Sequence, residues 1–153
     1  MLTVTKEFEF HSAHLLPGHR GACKNLHGHT YKLQVTAAAR EEFSGLDEMG
    51  MLVDFTDLKS LVKSSIVDVF DHACILNGNT VDGFERELAD LLVRHEKKIA
   101  WIDNICTAEH MANLFLAILH AACAPLSWQV VKVRLYETPT SYAEDDFECA
   151  PIR

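Results

Sequence analysis

Apolar and polar residues alternate over the first part of the chain. Phe8 and Phe10 lie two apart, so residues 3–13 read as a half-buried strand. The alternation is clearer over residues 29–39: Tyr31, Leu33, Val35 and Ala37 share one face, and Lys32, Gln34 and Thr36 the other. A Gly-containing connection, GLDEMGMLVDF, then leads through a short predicted strand to Asp54, a good helix N-cap. Phe55, Leu58, Val62, Ile66 and Val69 recur at helical spacing, which predicts a helix ending near Asp71-His72. Residues 82–98 read as a second helix, with Asp82 and Glu85 at capping-box spacing and Phe84, Leu88, Leu91 and Leu92 as its apolar stripe. A third follows Thr107, burying Met111, Leu114, Phe115, Ile118 and Leu119 and stopping before Pro125. The last strand is WQVVKVRLYE, in which period two places Val131, Val133, Leu135 and Glu137 on one face. A carboxylate ending an apolar face is costly to bury without a partner. The order ββ(β)ααα–β predicts an α+β domain, an antiparallel sheet covered on one face by helices. Its open edges invite pairing, and oligomerisation is one way to cover them.

Composition narrows the class. The 153 residues amount to one domain, and 48% hydrophobic content is ample for a core. A net charge of −8 with no basic stripe argues against nucleic acid as the main partner. The start, MLTVTKEFEF, has no basic region followed by an apolar run, so no signal peptide is expected. The most apolar run, LFLAILHAACAPL, is too short to span a bilayer, which needs about 20 residues, so no membrane partner is expected. Cysteines 23, 74, 106, 123 and 149 are odd in number and scattered, which fits free thiols in a reduced, cytoplasmic setting.

Candidate chemistry gathers where CKNLHGHTYKLQV enters the second strand. Extended backwards, period two puts His27 and His29 on the Tyr31/Leu33 face, with both rings in one space. A lone His-x-His is a weak signal, but His14 ends the first strand. The twelve residues between it and His27 include Pro17, Gly18 and Gly21, so antiparallel pairing brings His14 beside the other two. Three histidines without a fourth protein ligand form the pattern of a catalytic Zn²⁺ site with an open position. His11 has the opposite parity and His19 lies in the loop, so both read as solvated. Cys23 is open to three readings: an inert small hydrophobe, a fourth ligand closing a structural site, or a base or nucleophile just off the metal. Asp71-His72 is either charge compensation at a helix C-terminus or an acid/base pair in which the carboxylate orients the imidazole. Glu109 reads plainly as an acid in the first turn of a helix.

Several separated pieces together resemble the 6-pyruvoyltetrahydropterin synthase superfamily, especially its 6-carboxytetrahydropterin synthase branch. Phe8-x-Phe10-x-x-Ala13-His14 resembles the strand of the first zinc ligand, and Cys23-x-x-x-His27-Gly28-His29 the catalytic cysteine with the other two. Leu52-Val53-Asp54-Phe55-x-x-Leu58-Lys59 resembles the start of the first helix, Asp71-His72 the catalytic pair, Thr107-Ala108-Glu109 a Thr-x-Glu helix start, and Tyr136-Glu137-Thr138 the pterin-anchoring glutamate.

The resemblance implies a tunnelling fold (T-fold) whose sheets join into a barrel on oligomerisation, commonly a hexamer of two trimers with sites shared between chains. It implies a zinc-dependent lyase converting 7,8-dihydroneopterin triphosphate to 6-carboxytetrahydropterin, acetaldehyde and triphosphate, a step toward queuosine and related 7-deazapurines. Zinc on His14, His27 and His29 would act as Lewis acid on the side-chain hydroxyls. Cys23 would serve as base or proton relay, and His72, oriented by Asp71, would work on the opposite side. Glu137 would hold the amino and ring N–H donors of the pterin, with Thr107 and Glu109 also on the substrate side. The alternatives are a 6-pyruvoyltetrahydropterin synthase, which stops at triphosphate elimination, and a non-catalytic zinc- or pterin-binding module. Residues 77–103 depart from the pattern as a longer helical insertion in an otherwise single domain of residues 1–153. It is expected to lie outside the site, with no function legible in it; the alternative is that it alters the subunit interface, where the family builds its active sites.

Overall fold

The computed structural model describes residues 2–43 and 45–147, so Cys149 lies outside the described residues. Strands β1 (Thr3–His14) and β2 (His27–Ala39) form a long antiparallel hairpin, in register from Thr3 opposite Ala38 to His14 opposite His27. On one side β2 pairs antiparallel with β5 (Trp128–Thr138), and β5 with β6 (Ser141–Asp146). On the other, β1 pairs with β3 (Ala73–Asn77) and β3 with β4 (Ile99–Ile102), both in parallel. The sheet therefore runs β4-β3-β1-β2-β5-β6.

Helix α1 (Phe55–Val62) continues through a π-helical turn (Lys63–Val67) into a last turn (Asp68–Phe70). Helix α2 is Gly83–Arg94 and helix α3 Ala108–Ala122. The predicted caps form: Asp54 accepts from Thr56 N, Asp82 from Glu85 N and Thr107 from His110 N. The α+β class and the helix-covered sheet hold, but the sheet expected to be antiparallel is mixed, because β3 and β4 join it in parallel. The core joins Tyr31, Leu33, Val35 and Ala37 of β2 to Leu58, Val62 and Ile66 of the first helix and Met111, Phe115 and Leu119 of α3. Phe10 stacks on Tyr31 at 5.1 Å and meets Phe115 edge-on at 6.1 Å, tying the hairpin to α3.

Other expectations are corrected. Residues 51–54 form a bend and not a strand. The helix predicted over 82–98 ends at Arg94, because Glu96 adopts φ 53° and reverses the chain into β4. Its apolar stripe is not core: Phe84 and Leu91 are exposed, and the residue α2 buries is Glu85. Instead of closing a reciprocal box, the Glu85 carboxylate accepts from the Asn77 N–H at the end of β3. Strands β3 and β4, the latter at the edge of the sheet, are short apolar runs without sequence alternation, and pairing alone defines them. Strand β6, SYAEDD, has little β propensity; its Glu144 is held by Lys132 and Arg134 of β5. Val131 was expected on the inner face of β5, but a β-bulge opposite Thr36/Ala37 shifts the parity, so Val130, Val133 and Leu135 are the buried residues.

Candidate active site

The hairpin register builds the site. His14 faces His27 directly, and His29 lies opposite Ser12 on the same face. Gly28 lets the strands close up: a Cβ there would meet the Ser12 carbonyl at 3.1 Å. The three rings stand 4.6, 5.1 and 4.9 Å apart between centroids, and their ligand nitrogens all lie within 4.8 Å of one another. Nδ1–H of His14 donates to the Cys106 carbonyl at 2.7 Å, and Nδ1–H of His27 to the Asn25 carbonyl at 2.8 Å. These bonds set the tautomers of His14 and His27, so the Nε2 of each carries its lone pair inward. All three Nε2 atoms are buried without a hydrogen-bond partner. Burial holds His14 and His29 below the ordinary imidazole range, against the opposing pull of Glu137, and so favours the neutral form that can bind a metal. Unpartnered acceptors converging in a buried space are costly for a protein to keep empty. As a donor set they fit a divalent cation that takes imidazole.

Glu137 approaches the same nitrogens, with Oε1 3.5 Å from His14 Nε2 and 3.7 Å from His29 Nε2. It also lines, with His29, Lys32 and Tyr136, a cleft of about 560 Å³. The inward carboxylate therefore stands between the histidine cluster and a space of ligand size. Tyr31 packs under the cluster, 5.5 Å from the His29 ring, with its hydroxyl buried and unpartnered. Burial and then the charge of Glu137 push its phenol above the usual range.

Cys23 sits half-buried in a short 3₁₀ turn (Ala22–Lys24), held by its carbonyl to the Leu16 N–H at 2.9 Å. The cluster of metal-ligand type consists of the three histidines and does not include its thiol. Cys74, Cys106 and Cys123 are set against reactivity: burial raises each thiol, that of Cys106 to about 12.

Asp71 and His72 form the oriented arrangement. His72 Nδ1 lies 2.8 Å from Asp71 Oδ2. The other carboxylate oxygen accepts from the His11 N–H at 2.9 Å, and these two bonds hold the Asp71 carboxyl below its ordinary range. His72 itself is in the left-handed region, φ 55°, a strained setting for a non-glycine residue. Its imidazole is 77% exposed and borders, with His11 and His29, an open groove of about 630 Å³. Thr107 caps α3 directly after the Cys106 carbonyl that holds His14, while Glu109 is exposed in the first turn.

Sequence reading missed three parts of this site. His11 and His19 are exposed as expected, but the His11 backbone grips both Asp71 and His72. The Cys106 carbonyl and Lys98 also reach the site, through contacts distant in sequence that no local pattern announces.

Comparison with known proteins decides the relationship. The family model described as 6-pyruvoyl tetrahydropterin synthase matches residues 3–147. The chain belongs to the 6-pyruvoyl tetrahydropterin synthase family. A Haemophilus influenzae relative named 6-carboxy-5,6,7,8-tetrahydropterin synthase is 42% identical over 94% of this chain and 98% of its own length. One of the same name from Rickettsia bellii is 33% identical over 94% and 99%. The fold is that of an uncharacterized Wolinella succinogenes protein (TM-score 0.77, 24% identity, covering 96% of this chain and 98% of that one). It is also that of the Caenorhabditis elegans 6-pyruvoyl tetrahydropterin synthase (TM-score 0.65, 22% identity, 95% of each chain). Among the described residues no helix is long and apolar enough to cross a membrane.

Proposed function

We propose that this protein is a zinc-dependent 6-carboxy-5,6,7,8-tetrahydropterin synthase. It would convert 7,8-dihydroneopterin triphosphate to 6-carboxytetrahydropterin, acetaldehyde and triphosphate in the cytoplasmic route to queuosine and related 7-deazapurines. The observation that carries the reading is the convergence of three buried, unpartnered Nε2 atoms beside the inward-facing Glu137 at a cleft of ligand size. The name of the Haemophilus influenzae relative supports the carboxy branch. His14, His27 and His29 would hold the metal, about one Zn²⁺ per chain at roughly 2.0–2.1 Å with one position open. When bound, zinc supplies Lewis-acid polarisation of the substrate side chain.

The remaining roles fall to the protein. Glu137 accepts hydrogen bonds from the amino and ring N–H groups of the pterin and fixes the ring in the cleft. Cys23, outside the ligand set, takes or relays a side-chain proton. His72 exchanges a proton through Nε2, because Asp71 engages Nδ1 and so fixes the tautomer. Thr107 and Glu109 face the substrate from the start of α3. Residues 77–103 form an insertion within a single domain. Mass spectrometry of products from the triphosphate substrate tests the assignment. 6-Carboxytetrahydropterin with acetaldehyde supports it; a 6-pyruvoyl product moves the protein to the other branch; no turnover by metal-loaded protein leaves a binding module.

The open sheet edges β4 and β6 and the exposure of His72 support a homo-oligomer, a dimer of trimers, with sites completed between chains. In that assembly, Cys23→Ala and His72→Ala, each inactive alone, regain partial turnover when mixed after dissociation and reassembly. Each mixed site then receives one intact half from each chain. A monomer by light scattering at micromolar concentration, or no recovery in verified mixed oligomers, places the whole site within one chain along the groove that joins His29 and His72.

A further inference from the structure

We infer that Lys98, from the segment 77–103, is the residue that positions the Asp71–His72 pair. The inference rests on the reading that this pair acts on the substrate. The peptide unit between Asp71 and His72 is gripped at both ends. Its N–H, belonging to His72, donates to the His11 carbonyl of β1 at 2.6 Å. Its carbonyl, belonging to Asp71, accepts from Lys98 Nζ, also at 2.6 Å. The same ammonium donates to the Asp68 carbonyl at 2.7 Å. Both acceptors belong to the last turn of the first helix, where carbonyls lack partners within the helix and a cation meets the negative end of the dipole.

The two grips come from different elements. Strand β1 holds the N–H and also the Asp71 carboxylate, through His11. Lys98 comes from the approach to β4, placed by the parallel pairing of Cys74 with Ile99 and by Cys74 N–H donating to the Lys98 carbonyl at 3.0 Å. Between them they fix the peptide plane that enters His72. That plane sets the left-handed φ of 55° and the direction in which the imidazole leaves the chain. A residue in this region relaxes unless its surroundings over-determine it, and on the carbonyl side the restraint is one ammonium. The segment without a legible role in the sequence therefore delivers the clamp for the proposed proton-transfer residue.

The test compares Lys98→Met, Lys98→Ala and Lys98→Arg with His72→Ala. Lys98→Met is expected to lower kcat about 10- to 100-fold with little change in KM, as for a displaced catalytic group, and to leave zinc content unchanged. Lys98→Arg, which keeps a donor for both carbonyls, recovers most of the loss, and propylammonium restores part of the turnover of Lys98→Ala. Independently of turnover, the side-chain ¹⁵N signals of His72, assigned by their loss in His72→Ala, shift in Lys98→Met and return in Lys98→Arg. Wild-type kcat with unmoved His72 signals in Lys98→Met overturns the proposal, as does the absence of any propylammonium effect on folded Lys98→Ala. Should His72→Ala itself turn over normally, it is the catalytic reading of the pair that fails, and the ¹⁵N signals still report whether Lys98 orients the imidazole.

Discussion

Replacing Cys23 with alanine is expected to lower turnover by about 10²–10⁴-fold, the usual contribution of a positioned acid or base, while the metal stays bound. The thiol stands outside the three-histidine cluster, so its loss removes no ligand nitrogen. It also sits on a half-buried surface turn, so its loss opens no cavity in the core. Zinc content by elemental analysis and thermal unfolding should therefore match the parent protein while product formation collapses. Cys74→Ala and Cys123→Ala are the controls, since burial keeps both thiols protonated and unreactive, and both should retain turnover within the limits of their stability. Near-parental activity in Cys23→Ala would remove the thiol from the mechanism. Loss of zinc from that variant would instead make Cys23 a ligand.

The second large effect is expected at His14. His14→Ala removes the fully buried member of the cluster and leaves the Cys106 carbonyl without its donor. The metal stoichiometry should fall from about one per chain to near zero. The affinity loss should exceed the 10- to 100-fold that follows from losing even an outer hydrogen-bond partner of a ligand. The stranded carbonyl adds about 1–3 kcal/mol of destabilisation, measurable by urea unfolding of the two metal-free proteins. Acid should act on the parent protein in the same direction. Burial keeps His14 and His29 neutral at pH 7, so protons compete with the metal only as the pH falls below the ordinary imidazole value of 6.5, and retention declines from there downward. Stoichiometric metal in His14→Ala, or metal loss that sets in well above pH 6.5, would contradict the three-histidine site.

Much of this was legible in the chain because it rests on local periodicity. The alternation of β1 and β2 fixed which residues face the core, and the same parity carried His27 and His29 onto the face of Tyr31. The caps at Asp54, Asp82 and Thr107 marked the helix starts, since a side-chain oxygen two or three residues before an orphan N–H is a local signal. Even the approach of His14 to His27 followed from a hairpin with a turn-rich connection. Strands β3 and β4 were not legible: each is a short run without alternation, and parallel pairing joins residues far apart in the chain. The β5 bulge shifted a parity that the sequence states cleanly, because the extra residue answers to the partner strand and not to its own neighbours. The outer partners of the site belong to the same class. The Cys106 carbonyl reaches His14 across 92 positions, the His11 N–H reaches Asp71 across 60, and Lys98 reaches Asp71 across 27. The sequence thus determined the chemical groups and the faces that carry them, because side-chain direction follows from local backbone geometry. The tertiary structure decided how those groups are held, because backbone carbonyls and N–H groups are identical at every position and only packing selects which of them a histidine, a carboxylate or a lysine meets.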